Sequence, residues 1–356
     1  MEWLAGNRIR GTTAERPALG LPSGSVGGWK ELGRTTLGSS NANISVASLP
    51  DKRYYMVLGH NIGNSGATDY NMRLNSDTGT NYARRQSING GSDSAIGSLN
   101  RMNIHSGNTA MPQFSVGYLA NKSDKEKLHI SHYVGSTTGA GNAPGRSENV
   151  NKWANTSSAI DEVTLLAFDG GTFGTGSEAV VLGWDPADTH TTNFWEELGS
   201  ADLSGGTADN LDITSFDAKK YLWVQFYVKS VTGVTRPTLR FNSDTGSNYS
   251  NRESYNGGTD TTNTSVDKAY ITSTDIPVGS GYFGDMFIIN NSANEKLVIQ
   301  HGVYGNTAGA GTAPLRVESV AKWANTSDQI TSVQIINDRA SADFNTISSM
   351  KVWGSD

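Results

Sequence analysis

The chain contains an internal repeat, which limits its possible folds more than any other feature of its 356 residues. The sequence NSDTGTNY at 75–82 returns as NSDTGSNY at 242–249, and KWANTS at 152–157 returns unchanged at 322–327. The first pair starts 167 residues apart (75 to 242) and the second 170 residues apart (152 to 322), so the separation is almost constant. A unit of about 165 residues has therefore been duplicated, and each copy has the length of a domain.

The repeat also predicts where the domains begin and end. We expect an N-terminal arm at 1–28, a first domain at 29–184 and a second domain at 194–356. Between the two domains, residues 185–193 contain Pro and Thr and are predicted to form a linker.

The residue pattern within each copy is that of β-strands. Residues 53–58 and 221–228 are rich in aromatic and β-branched side chains. Asn-Gly pairs at 89–90 and 256–257 predict tight turns between strands. No stretch of about 12 residues combines helical spacing of apolar residues with caps at both ends. The sequence therefore predicts an all-β chain, with two tandem, duplicated β-sandwich domains of jelly-roll kind behind an extended arm.

Composition excludes several classes of protein. The chain has no Cys, which rules out disulfides, thiolate zinc sites and a thiol nucleophile. The net charge of −6 argues against general nucleic-acid binding. The apolar runs are far shorter than the roughly 20 residues of a membrane helix, and the N-terminus lacks the apolar core of a signal peptide. We therefore expect neither a nucleic-acid nor a membrane partner.

The repeated NSDTG element has two interpretations. Asn75, Asp77 and Asn81 place oxygen atoms at alternate positions, as calcium loops do. However, glycine is at the fifth position of the element, whereas calcium loops need it at the sixth. We favour an Asx turn in which Asp77 and its counterpart Asp244 accept local backbone N–H groups. This interpretation predicts no metal and no cofactor.

Charged residues recur in register around the two KWANTS segments. Paired carboxylates could serve glycoside hydrolysis, but sequence alone cannot place two of them about 5–9 Å apart. We favour a structural framework of Arg–Glu pairs at a sheet surface, around tryptophans that are buried. The predicted framework residues, beside Asp77 and Asp244, are Arg146, Arg316, Glu148, Glu318, Trp153 and Trp323.

Other motifs give little support to catalysis. His129 and His132 are three residues apart on a predicted strand, so they should face opposite sides and not share a metal. The Gly-Ala-Gly segments at 139–141 and 309–311 lack the lysine and following helix of a phosphate loop, and we predict extended loops there. No Ser-His-Asp arrangement recurs. We expect no catalytic residues and a protein that is not an enzyme.

The N-terminal arm combines Gly and Pro with apolar and basic residues. A solvated tail would not need the apolar side chains, and so we expect the arm to dock on a neighbouring subunit. The predicted assembly residues are Trp3, Leu4, Arg8, Ile9, Arg10, Arg16, Leu19 and Leu21.

Four segments of the chain, taken together, resemble a known group of proteins. The sequences RGTTAERP at 10–17 and GWKELGRTTL at 28–37, with the repeated NSDTG-x-NY and KWANTS, resemble structural proteins of tailed bacteriophages over nearly the whole chain. The resemblance implies a virion location and a surface role of decoration, head-fibre or tail-fibre type. It has no catalytic residues to carry over. We expect other virion proteins, of the capsid or the tail, as partners, and a homo-oligomer for which a trimer is one candidate.

An alternative function stays open at this point. Two β-sandwich modules with exposed Trp and Tyr could bind carbohydrate by stacking on sugar rings, and the ligand could be a host-surface glycan. A hydrolase is a more distant third interpretation.

Overall fold

The computed structural model describes residues 28–65, 69–106, 112–185, 193–305, 310–340 and 342–356. The predicted assembly residues of the arm lie outside this described part, as do residues 186–192 of the predicted linker. Strands are the regular elements throughout the described residues, in which no helix could cross a membrane. Contacts divide the chain into two compact units, each described by itself below.

Unit 1 comprises residues up to Gly135 together with Ser147–Glu196. One sheet has eight strands in the order β1-β14-β3-β9-β10-β11-β6-β7, a second has the order β2-β12-β5-β8, and β13 pairs with β4. The strands are β1 (Lys30–Thr36), β2 (Asn43–Ala47), β3 (Tyr54–Asn61), β4 (Asn64–Ser65), β5 (Asp69–Leu74), β6 (Tyr82–Ile88), β7 (Ser94–Leu99), β8 (Met102–His105), β9 (Gln113–Ala120), β10 (Lys127–Gly135), β11 (Gly145–Trp153), β12 (Glu162–Phe168), β13 (Thr172–Phe173) and β14 (Glu178–Trp184).

Unit 2 comprises Ser136–Arg146 and Glu197–Asp356. Its sheets have the orders β15-β26-β17-β22-β23-β24-β19-β20 and β16-β25-β18-β21. The strands are β15 (Glu196–Asp202), β16 (Asn210–Ile213), β17 (Tyr221–Lys229), β18 (Pro237–Phe241), β19 (Tyr249–Tyr255), β20 (Thr261–Val266), β21 (Ala269–Tyr270), β22 (Gly281–Ile289), β23 (Lys296–Tyr304), β24 (Leu315–Trp323), β25 (Val333–Asn337) and β26 (Ser349–Ser355).

The strand order is the same in the two units, position by position, in both the eight-stranded and the four-stranded sheet. The pairings within these sheets are antiparallel, for example β3 with β9 and β17 with β22. The prediction of an all-β chain with two tandem, duplicated β-sandwich domains is thereby confirmed.

A hydrophobic core lies in each unit, and alternation along the strands supplies its side chains. In β2, for example, Ile44 and Val46 are buried while their neighbours are exposed, as expected for a strand with one face on the core. Burying each such side chain contributes about 1.5–3 kcal/mol. Both cores contain the tryptophan of KWANTS, Trp153 in unit 1 and Trp323 in unit 2.

The predicted Asn-Gly turns are present in both units. Asn89 and Gly90 have φ angles of 50° and 70°, and Asn256 and Gly257 have 50° and 71°. Positive φ at both central residues is the geometry of a type I′ turn, whose twist matches that of the flanking strands. Each turn directly follows a strand, β6 or β19.

Candidate functional site

The repeated tryptophan is buried in both units and is held by the repeated aspartate. Trp153 and Trp323 are each 1% exposed. The Nε1–H of Trp153 donates to Asp77 Oδ2 at 2.7 Å, and that of Trp323 donates to Asp244 Oδ2 at 2.7 Å. The prediction that the two tryptophans are equivalent and buried is therefore confirmed.

Local N–H groups supply the other hydrogen bonds of the first carboxylate. Asp77 Oδ1 accepts from the backbone N–H of Gly79 at 2.8 Å, and Oδ2 accepts from the Asn81 side chain at 2.9 Å. Partial burial favours the neutral acid, but the hydrogen bonds from Asn81, Trp153 and Gly79 outweigh it and lower the pKa of Asp77. The turn is thus an Asx turn that also fixes a core tryptophan.

The same geometry is present in unit 2. Asp244 accepts from the backbone N–H of Gly246 at 2.8 Å and from the Asn248 side chain at 2.9 Å. Partial burial again opposes ionisation, and the hydrogen bonds from Trp323, Asn248 and Gly246 again lower the pKa of Asp244. The duplication has preserved a contact as well as a sequence.

The asparagine that opens the NSDTG element ties the turn to a distant segment. Asn75 donates through Nδ2 to the carbonyl of Ala159 at 2.8 Å and accepts from the N–H of Asp161 at 2.9 Å. Asn242 donates in the same way to the carbonyl of Gln329 at 2.8 Å. The side chains that suggested a calcium loop thus take part in hydrogen bonds of the fold.

In the predicted charged framework, the two corresponding arginines, Arg146 and Arg316, have different sets of ion-pair partners. Arg146 contacts Asp260 through Nη2 at 2.8 Å and Glu318 through Nη1 at 3.3 Å, with its own side chain only 3% exposed. Arg316 lies 3.3 Å from Glu318 and is 61% exposed. Glu148 instead contacts His132 Nδ1.

Asp260 was missed by the sequence analysis, although a signal existed. The segment NGGSD at 89–93 returns as NGGTD at 256–260, so the aspartate recurs in register after the turn. Nothing in that pattern indicates an arginine as its partner, because Arg146 is 114 residues away in the chain.

Residues 136–146 belong to unit 2, although the sequence places them in the first repeat copy. The N–H of Ser265 donates to the carbonyl of Ala140 at 2.9 Å. Arg252 donates through Nε to the carbonyl of Pro144 at 2.7 Å. The predicted extended loop therefore packs against the rest of unit 2 through its backbone carbonyl groups.

The first residues of the same loop, Thr137 and Gly139, form hydrogen bonds with a buried ion pair. Lys322 and Glu295 lie 3.4 Å apart, with side chains 0% and 3% exposed. Lys322 donates to the carbonyl of Thr137 at 2.6 Å, and the N–H of Gly139 donates to Glu295 at 2.5 Å. Burial lowers the pKa of Lys322, against the opposing effect of Glu295.

Unit 1 contains three buried histidines among its described residues, His60, His105 and His129. His105 is stacked on Tyr133, and its ring nitrogen Nδ1 lies 2.7 Å from Ser147 Oγ. This contact joins β8 of the four-stranded sheet to β11 of the eight-stranded sheet. His129 is 2% exposed and lies 3.1 Å from Asn151 Nδ2. Burial lowers the pKa of His105 to about 4, and burial together with nearby His132 lowers the pKa of His129 to about 3. Neutral imidazoles therefore pack in the interior of this unit.

Comparison with known proteins gives no relationship. No family model and no curated protein matches the chain. Among solved structures, Neisserial surface protein A aligns over 81% of this chain and 99% of its own, at 6% identity and a TM-score of 0.13. The CBM22 tandem domain of Paenibacillus barcinonensis Xyn10C aligns over 91% and 94%, at 9% identity and a TM-score of 0.15. Such TM-scores carry no argument about fold or function.

Proposed function

We propose that this chain is a non-enzymatic structural protein of a tailed bacteriophage virion. It lies on the particle surface and is held to the capsid or tail by the arm at 1–28. One observation carries the proposal: the residues that the duplication preserved best serve to hold the fold. Trp153 and Trp323 fill the cores, and Asp77 and Asp244 fasten them.

The surface chemistry supports the same role. Charged residues are only 17% of the chain, against about 25% in typical soluble domains, so uncharged polar groups cover much of the surface. Such a surface suits a protein that is displayed outward in many copies, because it avoids strong repulsion between neighbours. The resemblance of the repeated motifs to phage structural proteins supports a tailed-phage particle as the assembly in this proposal.

The test is the presence of the chain in purified particles. Virions from cells that express its gene are separated on a density gradient, and peptides of the chain are measured in the particle fraction. We expect a constant ratio of the chain to the major capsid protein, and antibody labelling of intact particles. The same chain expressed alone is the control for co-sedimentation. Absence from the particle fraction would overturn the proposal.

A second candidate function, carbohydrate binding, has one observation in its favour. Tyr54 is 37% exposed and stacks on Trp184, with ring centroids 5.3 Å apart and planes at 18°. An exposed aromatic face of this kind can stack on a sugar ring. In a glycan array, Tyr54→Ala should abolish any signal of the wild-type chain, whereas Phe283→Ala, at another exposed aromatic residue, should not. A wild-type chain without signal would remove this candidate.

A further inference from the structure

Unit 2 contains a loop and the surface that receives it. We call residues 137–146 the first loop. We call the surface that it contacts the second-copy face. This face is formed by Ser250, Arg252, Asp260, Ser265, Glu295 and Lys322.

The duplication supplies both parts a second time. In the aligned sequence, the second-copy face corresponds to a first-copy face formed by Ala83, Arg85, Asp93, Ser98, Glu126 and Lys152. The described residues 310–316, AGTAPLR, correspond to AGNAPGR at 140–146, and we call them the second loop. Arg316 therefore corresponds to Arg146, and Asp93 to Asp260.

The two sets of charged groups differ sharply in exposure. Arg146 and Asp260 have side chains 3% and 2% exposed, and they contact each other. Their counterparts Arg316 and Asp93 are 61% and 53% exposed. Likewise Lys322 is 0% exposed, whereas its counterpart Lys152 is 46% exposed. The first-copy face and the second loop are thus accessible where the corresponding groups of unit 2 are covered.

Apolar side chains beside the charged groups show the same difference. On β23 and β24, Leu297, Ile299 and Val320 are 0–2% exposed although they are not part of the unit 2 core. Val320 is paired with Arg252 across the sheet, so these residues share the face with the ionic groups. The burial of these three side chains therefore shows that the second-copy face is covered.

The counterparts of these three residues are Leu128, Ile130 and Val150, and they are 57%, 51% and 48% exposed. Val150 is paired with Arg85, as Val320 is with Arg252. Three neighbouring apolar side chains on a face that is otherwise charged mark a surface that a protein partner covers.

We propose that the partner is a second copy of this chain: the second loop of one copy docks on the first-copy face of the next. Arg316 then pairs with Asp93 of the neighbour, as Arg146 pairs with Asp260. The N–H of the neighbour's Ser98 donates to the carbonyl of Ala310. Ser98 and Ser265 have φ angles of 54° and 50°, so the donor has the same backbone geometry at both faces.

The contact is heterologous, because a loop of one copy meets a different surface of the next. Repetition of such a contact builds a closed ring or an open chain. One hydrogen bond of unit 2 has no counterpart at the proposed contact: the Ser250 hydroxyl donates to the backbone carbonyl of Asn142, and Ala83 stands at the position that corresponds to Ser250. The inference rests on the duplicated loop and face and is independent of the virion role.

Charge reversal tests the pairing. Sedimentation of the full chain should show self-association, and Arg316→Asp or Asp93→Arg alone should weaken it about a hundredfold or more. An equal mixture of the two variants should associate again, because the mutant loop of one variant then meets the mutant face of the other, and the native loop meets the native face. Lys351→Glu, which removes the Lys351–Glu197 ion pair at another surface, is the control and should associate like the wild type. A monomeric wild-type chain would overturn the proposal.

Cross-linking tests whether the second loop and the first-copy face meet, and because the chain has no native Cys, only the introduced cysteines can form a disulfide. A tagged chain with Ser98→Cys is mixed with an untagged chain with Ala310→Cys under mild oxidation. We expect a disulfide between the two chains, whereas Ser98→Cys mixed with Ser204→Cys should give none. No cross-link between positions 98 and 310 would overturn the proposal, even if the chain associates by another surface. If the chain self-associates by this contact but is absent from purified particles, only the virion proposal is overturned.

Discussion

At the scale of residues, the contact between a repeated carboxylate and a repeated indole is the main link from sequence to stability. Each carboxylate accepts three hydrogen bonds, so the loop that contains it is fixed to the core by the tryptophan. The indole also stacks on the tyrosine that ends the NSDTG-x-NY element, Tyr82 or Tyr249, with ring centroids 6.2 and 6.4 Å apart. The motif therefore combines apolar burial with a satisfied polar group.

Trp153→Ala is expected to lower the free energy of unfolding by about 3–5 kcal/mol, because it leaves a cavity in the core and removes the donor to Asp77. Trp323→Ala should cost a similar amount in unit 2. Urea unfolding followed by circular dichroism measures both. Trp153→Phe should cost less, since the ring fills most of the cavity. A change below about 1 kcal/mol for either alanine variant would contradict this account.

The buried histidines of unit 1 predict a pH dependence. The folded-state pKa of His129, about 3, lies below its ordinary value of 6.5, so the unfolded chain binds the proton first. Stability is then complete above about pH 6.5 and is lost as the pH falls toward the folded-state pKa. The corresponding residue of unit 2 is Val298, and so His129→Val is the matched variant.

Between pH 7 and about 4.5, the wild-type chain should lose on the order of 2 kcal/mol through His129. His129→Val should reduce this loss, and unfolding in urea at the two pH values measures it. Ile130→Val, on the same strand, is the control, because it removes no titratable group. An equal loss in wild type and His129→Val would contradict the prediction.

At the scale of elements, the turns are the parts that the sequence determines most completely. Asn-Gly favours a type I′ turn, and Gly90 and Gly257 have the positive φ angles that this turn needs. Gly90→Ala should therefore destabilise the β6–β7 hairpin by about 1–2 kcal/mol, because a Cβ is unfavourable at that φ. Gly90→Asn should cost less, since Asn tolerates this conformation. Thermal unfolding compares the two, and equal costs would contradict the turn assignment.

The strands and the sandwich class could be predicted because alternation and aromatic content are local properties of a strand. The Asx turn could be predicted too, since its hydrogen bonds to Gly79 and Asn81 span two and four residues. The pairing of Arg146 with Asp260 could not, because the two residues are 114 positions apart and each recurs with a different neighbour. Local patterns thus indicate which residues are structural, whereas partners depend on the long-range packing of loops.

At the scale of the whole molecule, the duplication gives two units with the same strand order but different surroundings for equivalent side chains. Leu128 and Leu297 stand at corresponding positions, yet one is 57% exposed and the other is fully buried. In the proposed contact between copies, the second loop of a neighbouring chain would cover the first-copy face, and Leu128 would then be buried as Leu297 is.

The arm at 1–28 provides the last prediction, since the proposed function gives it the contact with the particle. Its apolar residues, among them Trp3 and Ile9, would be buried only against a folded partner, and the extended backbone that its Gly and Pro content predicts would suit a sheet edge or groove. Arg8, Arg10 and Arg16 would pair with acidic groups there. Deletion of residues 1–28 should leave the circular dichroism spectrum and the unfolding midpoint of the sandwiches unchanged. The same deletion should abolish incorporation into particles, whereas replacement of Arg8, Arg10 and Arg16 by Lys, which keeps the charge, should retain much of it. If the truncated chain is incorporated as well as the full chain, the arm is not the docking element.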